Sequence, residues 1–402
     1  MGTFKEPSKE ELHSLISFFQ SADHENAVYL NSSAYGLMPQ LVKKAITKYI
    51  DYPFVKSHIH DLKKTFANLY QRQSSEVFFT SGAHSFIERL IKILCKDKNS
   101  EFLIDPLSHK AIENPINYEC AFHGGKSSYL SHNSDGIICI NSLKAALHPK
   151  VTAVFINQCS NISGLLQNVK EITEVIHQYN KNNNTRILCI VDASQSNSKL
   201  ALSDHGGDVY FFAQQKSLAL PGCSSLITED AQNFLCDSND INHSNFILSQ
   251  VLEAGTPNFI SILSIVKATE FYVDLDQGFH IKEFCRFTHI KHLKEYAYGL
   301  LKETPKLRFL GVNDKNLDNN LGILTFFIEG VDLVQVGKEL STFGIHVEAT
   351  SLNQLGNYFC VPNAKNLYPC LNEKQSTLRI SIQWYNTKND IDRFFKFFKR
   401  YL

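Results

Sequence analysis

Apolar residues follow two rhythms along the chain. Short runs without alternation occur at VFFT (77–80), EFLID (101–105), TAVFINQ (152–158), RILCIVDAS (186–194) and VYFFA (209–213). Such runs predict strands covered on both faces, as in a parallel sheet. Between them apolar positions recur at helical spacing. Ile87, Leu90, Ile91 and Leu94 form one stripe after the small-residue turn SGAH, and VKEITEVIHQY at 169–179 predicts another helix. The Asn-rich KNNN at 181–184 predicts a loop before the next strand. Near the start, Leu12, Leu15, Ile16 and Phe19 predict a helix over 8–20. From 276 the order changes to a long helical stretch, GILTFFIEG, a second helical segment, GIHVEA, LRISIQW and a last helix, NDIDRFFKFFKRYL. The fold class expected is α/β: a helical arm over 1–26, a large domain over 27–275 with a mostly parallel sheet flanked by helices, and a smaller α+β domain over 276–402.

Composition narrows the function classes. Of 402 residues, 43% are hydrophobic and 20% charged, enough apolar content for a core and too much for disorder. No stretch reaches the roughly 18 apolar residues of a membrane span. Lys plus Arg and Asp plus Glu both number 40, so no bulk field draws nucleic acid or anionic lipid. The start, MGTFKEPSKEEL, has no apolar signal core, and Glu6 breaks a myristoylation pattern. The ten Cys form no C-x-x-C pair, so zinc spacing is missing and no metal site is expected. Cys159 and Cys189 lie inside apolar runs and read as buried, reduced thiols, which suits a cytoplasmic protein. FFKFFKRYL reads as an amphipathic end helix packed on its own domain.

Ligands of open α/β sheets bind beyond the carboxyl ends of the strands. The run at 77–80 delivers Ser81-Gly82-Ala83-His84 and a helix start, a ready anion site. The next run delivers His109, then come Ser160-Asn161, Asp192 with Gln195, and Gln214-Gln215-Lys216. One rim thus carries a phosphate cradle, an imidazole, a carboxylate, amides and an amine. This set fits pyridoxal 5′-phosphate (PLP), which needs an amine for a Schiff base, a carboxylate at the pyridine nitrogen and a phosphate anchor. Asp192 and His109 each have a second reading as a helix cap.

At these residues the chain resembles the class V aminotransferase family of PLP enzymes, which includes cysteine desulfurases and isopenicillin N epimerase-like proteins. The segments that carry the likeness are AVYLNSSAYGLMP, VFFTSGAHS, SHKAIENP, SNISGLLQNVKEI, IVDASQS, FFAQQKSLALPG, EAGTPN and LRISIQWYNTKNDIDRF, from about 27 to the end. The resemblance implies a Schiff base on Lys216, Asp192 at the pyridine nitrogen, Gln195 at the ring oxygen and His109 stacked on the ring. It places Asn161 beside cofactor and substrate, and the backbone of Ala83 and His84 and the side chain of Gln215 at the phosphate. Thr256 would reach the phosphate of a partner subunit, so a homodimer is implied. Arg379 would clamp the substrate carboxylate, a task suited to a guanidinium fork.

Three positions depart from the desulfurase pattern. Ala213-Gln214-Gln215 stands where Ser-x-His precedes the lysine, and His84 stands where a Thr follows SGA. In GIHVEATSLNQLGNYFC the place of the nucleophilic Cys holds Asn353, and Cys360 comes seven residues later. The reading is an enzyme acting on a small α-amino acid, an aminotransferase or lyase. Alternatives are a cysteine desulfurase with Cys360 as sulfur acceptor, a non-catalytic PLP-binding regulator, and a sulfur-relay partner. Tyr35, Tyr358 and Phe359 are candidates for shaping the pocket.

Overall fold

A computed structural model describes residues 27–50, 56–200, 206–237, 239–278, 285–351 and 375–402. The expected arm over 1–26, Asn353, Tyr358, Phe359, Cys360 and Cys370 lie outside these residues.

The main sheet has seven strands: β2 (Val77–Thr80), β3 (Glu101–Ile104), β4 (Lys126–Tyr129), β5 (Val151–Asn157), β6 (Leu188–Asp192), β7 (Val209–Ala213) and β8 (Cys223–Ile227). Their spatial order is β2-β8-β7-β6-β5-β3-β4. Strands β4, β3, β5, β6 and β7 are parallel, and β8 is antiparallel to both β7 and β2. The missing alternation has a direct cause. Along β5, Val154 and Ile156 feed one core while Ala153 and Phe155 feed the other. Strand β6 does the same with Cys189 and Val191 against Leu188 and Ile190, and β7 with Tyr210 and Phe212 against Val209 and Phe211. Each buried side chain of this size contributes roughly 1.5–3 kcal/mol.

Helices cover both faces. Ala83–Leu94 buries Phe86, Ile87, Leu90, Ile91 and Leu94, the stripe expected from the sequence. The helix Val169–Asn183 runs through most of KNNN, contrary to the loop expected there. Its last turn is solvated, so Asn and Lys cost little, and Asn184 ends it in the left-handed region at φ 52°.

A second sheet, ordered β12-β13-β10-β9, comprises β9 (Leu307–Phe309), β10 (Ile323–Ile328), β12 (Glu348–Ser351) and β13 (Ser376–Ser381). The N-terminal strand β1 (Val28–Tyr29) pairs in parallel with β11 (Ile345–His346). Val28 and Leu30 therefore share the core of the C-terminal part, although the sequence suggested that the large domain starts at 27. The next residues pass from the second sheet to the main one: Ser381 N of β13 donates to Leu30 O at 2.7 Å, and Gly36 N donates to Gln215 O, just past β7, at 2.7 Å.

Candidate active site

The site lies beyond the carboxyl ends of the parallel strands, where Arg379 from within β13 joins it. Strand β7 ends at Ala213, and Gln214–Lys216 form a single 3-10 turn. This turn is held on all sides. Ala213 N donates to Ser194 Oγ at 2.8 Å, Gln214 N to Gly222 O at 3.0 Å, and Gln214 Nε2 to Ser224 Oγ at 2.5 Å. Leu218, two residues past Lys216, is fully buried at φ 69°. A branched side chain in the left-handed region is strained, and the surrounding packing must hold it there. A Cβ on Gly36 would lie 2.8 Å from Leu218 Cδ2 and 3.0 Å from Lys216 O, so only glycine lets the N-terminal segment lie against this turn.

Asp192 closes β6, and its Oδ1 accepts Ser194 N at 2.9 Å. Burial pushes its carboxyl up, while the Lys216 amine and the Ser194 N–H pull it back. Burial pulls the Lys216 amine down, with Asp192 opposing and the Arg379 charge adding. The two groups thus sit in one electrostatic environment. His109 caps the helix Lys110–His123, its Nδ1 accepting Ala111 N at 3.0 Å. Burial, helped by Lys216, Arg379 and His84, drives its pKa down to about 3, so the ring is neutral.

The helix Ala83–Leu94 starts after Gly82 with no side-chain cap, and no atom lies within 4 Å of a Cβ built on Gly82. The first N–H groups of a helix have no intrahelical acceptor, and no side chain caps them here. His84 is exposed. Gln195 is buried and donates from Nε2 to Ser33 O at 3.0 Å, using one of its two N–H bonds. Gln215 is half-buried. Arg379 reaches across from β13, and its Nη1 donates to the carbonyl of buried Asn161 at 2.9 Å. Thr256 lies apart, on an exposed loop where it shares a cleft with Thr80 and Ser81.

Some site neighbours escape sequence reasoning. Lys199 is a buried lysine; burial pulls its pKa to about 8 and its Nζ donates to Leu321 O at 3.0 Å. That carbonyl ties it to the wall between the two sheets. Glu348 and Asn31 flank Arg379, a placement that depends on strand pairing and has no local signal. Asp105 accepts Leu107 N and Asn157 N and stands 3.0 Å from His132 Nε2, a buried pair one strand beyond β5.

This donor set fits PLP. The site offers an amine of weakened basicity, a half-buried carboxylate, a neutral imidazole face and an uncapped helix start. In addition, Ser33 Oγ and Ser108 Oγ are buried without a hydrogen-bond partner among the described residues, beside Gln195 and His109 in space or sequence.

The architecture is shared with solved PLP-enzyme structures. The cysteine desulfurase CsdA from Escherichia coli superposes with a TM-score of 0.76 at 17% identity, covering 99% of this chain and 98% of that one. A NifS-like protein gives 0.75 at 19% identity over 93% of this chain and 98% of its own. The aminotransferase class-V family model matches residues 28–394. The chain belongs to that family and is a PLP-dependent enzyme of the transferase or carbon–sulfur lyase kind. Among curated relatives, a probable cysteine desulfurase of Halalkalibacterium halodurans is 25% identical, covering 94% of this chain and 95% of that protein. Another, of Borreliella burgdorferi, is 22% identical over 92% of this chain and 87% of its own length.

Proposed function

We propose that this enzyme acts on a small α-amino acid, with Lys216 carrying the cofactor and Arg379 clamping the substrate carboxylate. The observation that supports this reading is the placement of Asp192, His109 and Lys216 at or after the ends of parallel strands of one sheet, with Arg379 of β13 bonded to Asn161 beyond the same strand ends. The bound cofactor supplies an electron-withdrawing ring conjugated to the substrate nitrogen. Asp192 holds a proton at the ring nitrogen. The Ala83–His84 backbone and Gln215 would hold the phosphate, Gln195 would offer its remaining N–H to the ring oxygen, and the neutral face of His109 would cover the ring. Asn161 fixes the Arg379 fork. Once the substrate nitrogen has displaced it, the freed Lys216 amine, its basicity lowered by burial, would take the proton from substrate Cα.

Two outcomes follow that proton transfer. Transamination or loss of a β-substituent needs no further protein nucleophile and is the first reading. Cysteine desulfuration is the second, favoured by the names of the relatives above. It needs a thiolate to accept sulfur. Cys159 and Cys223, buried in this region, are pushed up to about 12 by desolvation and stay protonated. The acceptor for this reading is Cys360, the candidate from the sequence, which lies outside the described residues. We also infer a homodimer in the cytoplasm, in which the exposed Thr256 loop meets the partner's phosphate site; sedimentation at micromolar concentration should give twice the 45.6 kDa chain mass.

The test is product analysis with a panel of amino acids. Keto acid formed only with an amino acceptor reports transamination, and keto acid with ammonia reports elimination. Alanine with enzyme-bound sulfur from cysteine, lost in Cys360→Ala, reports desulfuration. Lys216→Ala should abolish every product. An active Lys216→Ala variant, or no product from any amino acid, contradicts the proposal.

A further inference from the structure

The substrate clamp has an acidic neighbour. Strand β12 runs antiparallel to β13 with Glu348 directly opposite Arg379. Residues paired in this way point to the same face, with Cβ atoms about 5 Å apart. Arg379 Nη2 stands 4.0 Å from Glu348 Oε2, and Asn31 Nδ2 donates to that same oxygen at 3.0 Å. The carboxylate is therefore held between the guanidinium and an amide. The other amide atom, Asn31 Oδ1, is buried with no hydrogen-bond partner among the described residues. Tyr29 completes the wall and donates its hydroxyl proton to Tyr35 O at 2.8 Å. What surrounds the clamp is thus rich in acceptors.

Charge then constrains the ligand. Arg379 already faces one carboxylate. A docking substrate adds its α-carboxylate, while its amino group is taken up at the cofactor. The side chain is the only part of the substrate left to set the balance. An anionic side chain would crowd three negative groups around one guanidinium. A side chain with an ammonium or other N–H donor would instead be attracted to the Glu348 carboxylate.

We propose that Glu348 determines side-chain specificity, rejecting amino acids with anionic side chains and selecting those with a short, donor-bearing side chain such as a diamino acid. The inference rests on Arg379 binding the substrate carboxylate.

The holoenzyme would be assayed with aspartate, cysteine sulfinate, serine and 2,4-diaminobutyrate, alongside Glu348→Gln and the charge-retaining Glu348→Asp. Binding would be read independently of turnover by calorimetry with α-methylaspartate and α-methylornithine, which lack the α-proton. The wild type should favour the cationic over the anionic member at least about tenfold, in KM and in Kd. Glu348→Gln should shrink that ratio about tenfold or more, and Glu348→Asp should retain its direction. Equal losses on all ligands in Glu348→Gln would make Glu348 a mere prop for Arg379 and overturn the inference. So would a wild type that processes anionic and cationic members alike. The last outcome leaves the amino-acid reading standing, whereas binding of no α-amino acid, with no effect of Arg379→Lys, removes that reading and this inference together.

Discussion

His109 shows how one environment sets both a role and a pH dependence. Its folded pKa of about 3 lies below the ordinary 6.5, so between those values the unfolded chain binds a proton that the folded chain does not. Stability of the cofactor-free protein should therefore fall as pH drops through this window and be untouched by this group above it. Asn retains a capping acceptor but has no titrating ring. His109→Asn should flatten the loss of stability between about pH 6.5 and about 3 in denaturant titrations; an unchanged slope would mean that His109 is not the group responsible. Arg379 belongs to the same scale. Its Nη1 donates to Asn161 O and its Nη2 stands 4.0 Å from Glu348 Oε2, so the fork is held in a fixed orientation. Arg379→Lys keeps the charge but loses the fork, and KM for the amino acid should rise roughly tenfold to hundredfold, matching the 1.5–3 kcal/mol of a charge-assisted hydrogen bond. An unaltered KM would place the carboxylate elsewhere.

At the scale of elements, the turn Gln214–Lys216 depends on a segment almost 180 residues upstream. Gly36 meets the backbone of Leu218 and Lys216 at 3.0 Å from a built Cβ, and backbone cannot yield as a side-chain tip can. Gly36→Ala should cost about 1–3 kcal/mol of stability and weaken cofactor retention, seen by dialysis followed by absorbance. Full retention would show that the N-terminal segment does not support the turn. The sequence made the rim legible because each parallel strand is a solid apolar run and each is followed by its polar residue. It hid β8, since Ser224 and Ser225 are fully buried there; Ser224 accepts from Gln214 Nε2 and Ser225 donates to Phe78 O. Polar residues with partners inside the sheet defeat a reading based on hydrophobicity. It also hid β4, an exposed KSSY edge with nothing apolar at its start.

At the scale of the molecule, the site belongs to neither sheet alone. Lys216, Asp192 and His109 come from the seven-stranded sheet and Arg379 from the smaller one. Segments that cross between them keep these groups in register: Gly36 bonds to Gln215, Gln383 to Ser198, and Lys199 to Leu321. Glu348 and Asn31 were unreadable for this reason, because their meeting requires β12, β13 and the chain start to converge. The central claim is that Lys216 is the amine holding the cofactor, and buried Lys199 is its chief rival. Borohydride reduction of the PLP-loaded protein, followed by peptide mass spectrometry, separates them. The account predicts the pyridoxyl adduct on the peptide containing Lys216 and none in Lys216→Ala. An adduct on Lys199 or any other lysine, or none in protein saturated with the cofactor, would contradict it.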